Sequence, residues 1–398
     1  MKKFKAIAAW LHLWIGLVTG IIVVIVSITG CIQVFDEELF SLFHHDLVKV
    51  QKTGPAKPVS ELLAIAQKAV GKKKQMTDLK IAEEDHSYVF TASKANKKED
   101  VGISYFSQAK YQDDIYVNQY TGAVLGIIDA RYEFFNVMEQ LHRQLLLTKP
   151  VGSVIIGAAI LLFLVMMVTG FIIWFPKNYK QFKQAISIKW KAKWKRVNYD
   201  LHSSLGFYVL PIAMIIAITG LVWSFKWWET GIFKTLGSPG KVVLTRTAPA
   251  IATGDTTNKK VIDVIYANLL HQIGDNYNVI GFNLPEKKSN TVMVFTYVKH
   301  TTDSWNNMSY FYFDKRTGKM FDKLEHPDKP LALKWRNSNK AIHTGRIFGW
   351  PTQILAFLAA LVCASLPITG FLIWWGKRNK KSKKKSHVRR AQPALSRI

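Results

Sequence analysis

Four histidines stand at the mouths of long apolar segments: His12, His142, His202 and His343. An ionisable side chain in or beside a membrane segment is costly to bury, so its presence there points to function. A neutral imidazole offers one ring nitrogen as a metal ligand, and two facing imidazoles suit axial ligation of a haem iron. Zinc suits the pattern less, because each pair supplies two ligands with no fixed cysteine or carboxylate beside it. The bland reading is an imidazole bonded to a lipid headgroup or a backbone carbonyl, and recurrence at equivalent positions argues against it.

Other residues qualify that chemistry. Gly16 and Gly206 follow His12 and His202 by one helical turn on the same face, which leaves room for a porphyrin plane or for close helix packing. Haem propionates need cations at their rim. Arg346 lies three residues after His343, Arg143 follows His142, and Arg131 falls earlier on the same expected helix. His44 and His45 lie just beyond the first apolar segment and read as exposed side chains, with a substrate contact as the alternative. The pairs Thr29-Gly30, Thr169-Gly170, Thr219-Gly220 and Thr369-Gly370 read as packing and helix-end positions. Cys31 and Cys363 are the two cysteines; no CxxC or CxxCH occurs, so they read as packing residues.

The elements that must position these residues are four uncharged runs, Ala6–Phe35, Pro150–Pro176, Leu201–Phe225 and Ile347–Gly376, in a chain of 398 residues that is 49% hydrophobic. Each is long enough to cross a bilayer, which takes roughly 20 apolar residues. The net charge of +27 is uneven: lysines and arginines crowd the N-terminus, the segment 177–200 and the tail after Gly376. The positive-inside rule puts those three segments in the cytoplasm. Anionic lipid and topology account for the charge, and no nucleic-acid partner is needed. The expected order is span 6–35, outer domain 36–149, span 150–176, basic loop 177–200, span 201–225, outer domain 226–346, span 347–376 and tail 377–398. His12 and His202 then share the cytoplasmic face, and His142 and His343 share the outer face. From His12 to Gly30 the helix rises roughly 27 Å, so the two pairs stand well apart.

The chain repeats itself. Leu11-His12, Gly16 and Thr29-Gly30 align without a gap on Leu201-His202, Gly206 and Thr219-Gly220; FIIW at 171–174 pairs with FLIW at 371–374. VNQYTGAVLG at 117–126 and FYFDKRTGKM at 311–320 both read as strand, Thr-Gly turn, strand. Both halves start inside, so they are parallel repeats about an axis along the membrane normal, and four spans make a bundle. The outer domains read as small α+β units. Residues 58–71 and Lys260–Ile273 fit amphipathic helices, and Ala130–Leu147 fits a helix carrying His142. HSYVFTA, DDIYVNQY, NTVMVFTYV and SYFYFD fit strands. Tryptophans crowd the span ends as an interfacial belt. No dinucleotide fingerprint, P-loop, HExxH or GxSxG is present, so an electron donor must come from the membrane pool or from a cytoplasmic partner.

The repeated outer signature resembles the PepSY fold. With the spans, the LH…G…ITG pattern and the FIIW/FLIW ends, nearly the whole chain resembles the PepSY-associated transmembrane helix family, bacterial inner-membrane proteins linked to iron uptake. The resemblance implies a four-helix membrane bundle with two periplasmic PepSY-like α+β domains. It implies two haems b, with His12 and His202 on one and His142 and His343 on the other. The implied activity is reduction of a ferric siderophore, or another ferric chelate, in the periplasm with electrons from a quinol or a cytoplasmic donor. A haem-free PepSY binding or assembly protein is the rival reading. A permease is disfavoured, because the spans carry few polar residues to line a path.

Overall fold

A computed structural model describes residues 2–240, 242–249, 260–284, 289–297 and 306–390. Four helices are long and apolar enough to cross a membrane: Lys3–Val34, Lys149–Trp174, Trp194–Ser224 and Trp350–Arg378. Helix formation satisfies every backbone N–H and C=O within the segment, which an apolar solvent demands. In chain order the helices are α1 (Lys2–Val34), α2 (Asp36–Phe43), α3 (His45–Val48), α4 (Val59–Val70), α5 (Phe134–Gln144), α6 (Lys149–Trp174), α7 (Tyr179–Ala185), α8 (Trp194–Asp200), α9 (Gly206–Ser224), α10 (Lys226–Thr235), α11 (Val261–Ile273), α12 (Leu331–Thr344) and α13 (Trp350–Arg390). A π-helical turn, Leu201–Leu205, joins α8 to α9. In the bundle α1 packs on α6 and α13, and α9 packs on the same two, so α1 and α9 stand diagonally. The outward faces of the four spans carry exposed apolar side chains such as Val18, Ile21, Val154, Ile215 and Leu361, as a lipid-facing surface requires.

The strands are β1 (Met76–Ile81), β2 (Tyr88–Ala95), β3 (Ala109–Val117), β4 (Val124–Asp129), β5 (Val279–Asn283), β6 (Thr291–Tyr297), β7 (Met308–Asp314) and β8 (Met320–Leu324). They form one eight-stranded sheet in the order β4-β3-β2-β1-β5-β6-β7-β8. The two α+β units expected in the sequence thus share one continuous sheet. β1 and β5 pair antiparallel, with Leu79 opposite Phe282 and Ile81 opposite Ile280, and so join two four-stranded meanders. Pairing removes two unsatisfied strand edges at once. α4 and α11 cover the junction, where Asp263 accepts hydrogen bonds from the Ser60 N–H (2.8 Å) and hydroxyl (2.5 Å).

The core beneath those helices draws on both meanders: Leu62, Leu79, Phe90 and Ile115 with Leu269, Phe282, Phe311 and Phe313. Each such side chain contributes about 1.5–3 kcal/mol by leaving water. The two Thr-Gly turns expected in the sequence link β3 to β4 and β7 to β8. Gly122 and Gly318 sit in them at φ of +79° and +71°, conformations that other residues resist.

Candidate histidine-pair sites

α5 and α12 descend from the sheet into the mouth of the bundle and carry His142 and His343. α5 begins on Glu133, whose carboxylate accepts from the Asn136 N–H at 2.8 Å. Its end is turned sharply by Leu145 and Leu146, at φ of 55° and 56°. The expected helix Ala130–Leu147 is thus shorter at both ends. At the opposite side of the bundle, α1 carries His12 and the π turn carries His202. The third span starts at Trp194, seven residues before the expected Leu201, so His202 lies inside a helix and not at its start. π turns re-aim side chains and recur at functional sites.

The structure brings together the pairs that the sequence suggested. The rings of His12 and His202 have centroids 6.3 Å apart and cross at 84°. Those of His142 and His343 are 6.1 Å apart and cross at 75°. A metal–imidazole nitrogen bond is about 2.0–2.1 Å, and the nitrogen lies about 1.1 Å from its ring centre, so two collinear imidazoles on one ion place their centroids about 6.2–6.4 Å apart. His12–His202 falls within that range, and His142–His343, at 6.1 Å, lies just below it.

Every imidazole is held by the same device, built from a Thr-Gly pair. His12 Nδ1 donates to the Met166 carbonyl at 2.9 Å, beside Thr169 Oγ1 at 3.5 Å. His142 Nδ1 donates to the Val26 carbonyl at 2.8 Å, beside Thr29 Oγ1 at 3.2 Å. His202 Nδ1 meets Thr369 Oγ1 at 2.9 Å and the Leu366 carbonyl. His343 Nδ1 meets Thr219 Oγ1 at 3.0 Å and the Ile216 carbonyl. Each threonine hydroxyl donates to the carbonyl four residues back in its own helix, leaving its lone pairs for the imidazole. A carbonyl only accepts, so Nδ1 must carry the proton and Nε2 must carry the lone pair. Nε2 of these four has no hydrogen-bond partner among the described residues. Burial also keeps His142 and His343 neutral: it lowers both proton affinities, and His343 falls to about 3.

The glycine of each pair seats the ring. A Cβ on Gly30, Gly170, Gly220 or Gly370 would lie 3.3, 2.9, 3.1 or 3.1 Å from Cε1 of His142, His12, His343 or His202. The reading of the Thr-Gly pairs as packing and helix-end positions is therefore corrected: they hold the imidazoles. The missed signal was their level. Spans one and two run antiparallel, so the far end of one lies beside the histidine of the other. Asn198 and Asn339, each one turn before a histidine, add a second tether by donating to the Thr369 and Thr219 carbonyls, both at 3.1 Å.

Gly16 and Gly206 do something else. A Cβ on Gly16 would meet Met166 Sδ at 3.1 Å, so Gly16 lets α1 approach α6; at Gly206 the nearest atom is Leu366 Cδ2 at 3.7 Å, an ordinary contact. A cavity of about 660 Å³ adjoins the His142–His343 pair, walled by Val26, Ile156, Phe163, Ala217, Trp223 and Ala359. Its size and apolar walls, with a few polar groups at one end, suit a cofactor. Between the two histidine pairs lies a packed apolar cluster including Val23, Met166, Met167, Ala213 and Cys363.

The arginines sort differently from expectation. Arg143 lines the cavity and bonds Glu139 at 2.7 Å. Arg346 is spent elsewhere: it bridges Asp36, Glu37 and Glu38 at 2.7–2.8 Å and so clamps the α12–α13 corner to the first turn of α2. Arg131 precedes α5 and grips Asp129 in a two-point ion pair. The cations that join Arg143 around the cavity are Lys226, Arg336 and Lys340. Lys226 and Arg336 meet at Glu229, whose carboxyl they hold low although burial opposes its charge. His44 packs its ring on Phe40, with centroids 4.4 Å apart, and His45 is exposed beside Asp46.

Four imidazoles with fixed tautomers, two at each end of a bundle, can hold two metal centres along one axis. No curated protein matches the chain. The family described as PepSY-associated TM region matches residues 9–377, a stretch that takes in all four spans, the sheet and every paired histidine, and the chain belongs to that family.

Proposed function

We propose that this multi-pass membrane protein is a haem-dependent reductase that passes electrons across the membrane to a ferric chelate. The observation that carries the reading is the paired geometry: two sets of imidazoles with ring centroids 6.3 and 6.1 Å apart, each tied at Nδ1 and with no partner at Nε2 among the described residues. His12 with His202 and His142 with His343 would each hold one b-type haem. Bound there, haem iron supplies one-electron chemistry at a potential set by its ligands and surroundings.

The protein's own part is to keep those ligands neutral, oriented and dry. The carbonyls of Val26, Met166, Ile216 and Leu366 fix the tautomers, and such outer bonds strengthen a histidine ligand. Arg143, Lys226, Arg336 and Lys340 line the sheet side, paired with Glu139, Glu229 and Asp36, and would hold propionates by sharing or exchanging those carboxylates. The net reaction moves one electron to each Fe(III), giving Fe(II), which an oxygen-ligand chelate holds less tightly. A quinol donor would reduce two Fe(III) and release two protons as it becomes quinone, and a cytoplasmic donor is the alternative source.

The repeated sequence and the mirrored strand order support an internal parallel duplication. The basic termini and loop support an inner bacterial membrane with both ends cytoplasmic and the sheet periplasmic. The purified protein should show reducible b-type haem bands, and its reduced form should be reoxidised by a ferric siderophore. Freshly solubilised protein without haem would sink the reading and favour a haem-free PepSY assembly protein.

A further inference from the structure

The sheet side holds a second hollow, of about 410 Å³, between the β2–β3 end of the sheet and α5–α6. Its character is polar. Lys94 and Lys149 stand at its walls, Gln108, Gln112 and Gln140 line it with amides, and its lining includes no acidic residue. Arg143 and Ser153 line both this cleft and the cavity beside His142 and His343, so the two are neighbours across one helix. α5 therefore presents His142 to one space and Gln140 to the other.

The second half differs at the corresponding place. There the space between β6–β7 and α12 is lined by Tyr297, Met308 and Tyr310 and belongs to the histidine cavity. Leu333, Val242 and Leu244 pack with Tyr310 and Tyr312 in an apolar cluster beside it. In the second half the corresponding space has merged with the histidine cavity, whose sheet side carries Glu229 beside Lys226 and Arg336, while the first half keeps a separate cleft lined by cations and amides without an acid. Amides and ammonium groups complement oxygen-rich anions, and a cationic cleft without acids concentrates them.

We infer that the Lys94–Gln112–Lys149 cleft is the acceptor site, and that it takes an anionic, oxygen-ligated metal chelate of small size. The inference deepens the proposed function and rests on it for the identity of the chelate. The absence of acids from its lining decides between the two halves, and contact with the outer histidine pair through Arg143 puts a chelate seated in this cleft near the end of the electron path.

The test uses the full-length protein in detergent. Gallium(III) citrate, anionic and inert to reduction, is titrated calorimetrically into the wild type, the Lys94→Glu/Lys149→Glu double variant and Gln112→Glu. The double variant changes exposed side chains, and Gln112→Glu preserves shape. Binding should weaken roughly tenfold or more in each, as expected for reversing or adding charge at a shared anion site, and raised salt should weaken the wild type. Reoxidation of reduced protein by ferric citrate should slow in parallel while the haem bands stay unchanged. Wild-type gallium binding and wild-type reoxidation in both variants would overturn the acceptor site and leave the reductase standing. Protein without haem that still binds gallium citrate through Lys94 and Lys149 would overturn the reductase and leave an anion site.

Discussion

Gly170→Ala probes the seat of one imidazole with a single methyl group. A Cβ there lies 2.9 Å from His12 Cε1 and 3.2 Å from its Nδ1. Carbon atoms rest at about 3.5–4.0 Å, so the ring must retreat by about 0.6 Å or more. The Nδ1–Met166 bond starts at 2.9 Å and would pass the useful limit of about 3.2 Å. Crowding of this kind costs about 1–3 kcal/mol, and alanine regains about 1 kcal/mol over glycine within a helix. The net loss is about 2 kcal/mol or less, small enough for the bundle to survive. The ligand suffers more, since loss of its outer hydrogen bond weakens metal binding by about 10–100-fold. Haem content, the reduced absorption spectrum and a potentiometric titration read the result. One of two haem signals should fade or shift in potential, while the signal of the His142–His343 pair stays in place. Gly376→Ala, where nothing lies within 4 Å of the added methyl, is the control. If Gly170→Ala matches that control in haem content, potential and melting temperature, residue 170 does not seat the ring and the cradle argument fails.

Other expectations follow from the same geometry. His202→Ala and His343→Ala should each remove a different haem signal, read by low-temperature spectra; loss of the same signal in both would break the pairing. Gly152→Ala drives a methyl into the Gln144 carbonyl at the α5–α6 corner, so it should displace His142 and abolish the outer signal while sparing the inner one. Arg346→Ala should leave both spectra intact yet lower the melting temperature, because Arg346 is committed to Asp36, Glu37 and Glu38. Asp314 is held below the usual carboxylate range by hydrogen bonds from Arg316. Asp314→Asn should therefore cost about 1.5–3 kcal/mol near neutral pH. That stabilisation is present above the unfolded value of about 3.9 and is lost as pH falls through the lower folded value, so wild type and variant should converge in acid.

Much of this organisation is legible along the chain. The four spans announce themselves because hydrocarbon imposes length and apolarity on any helix that crosses it. The Thr-Gly turns at Gly122 and Gly318 are local, so short stretches reveal them. The histidine pairs could be read because the repeat supplies each with its counterpart, and helix direction sorts them to two levels. That the two outer units share one sheet was not legible, because nothing local in MTDLKI or VIGFN tells that these strands pair with each other across some 200 residues. The start of the third span was misplaced because the basic residues of α8 disguise a helix that continues into the π turn.

Sequence alone determined which residue types stand at the ends of which spans, since polarity and spacing are one-dimensional properties. Tertiary structure decided what those residues touch. It turned the Thr-Gly pairs from helix ends into cradles, because antiparallel neighbours bring the far end of one span to the near end of the next. It withdrew Arg346 from the cavity, because three acids in the first turn of α2 reach it first. It also separated two similar halves, merging one cleft with the histidine cavity beside Glu229 and leaving the other a separate space lined by glutamine and lysine. Those differences depend on which surfaces meet, and surfaces meet only after the chain has folded.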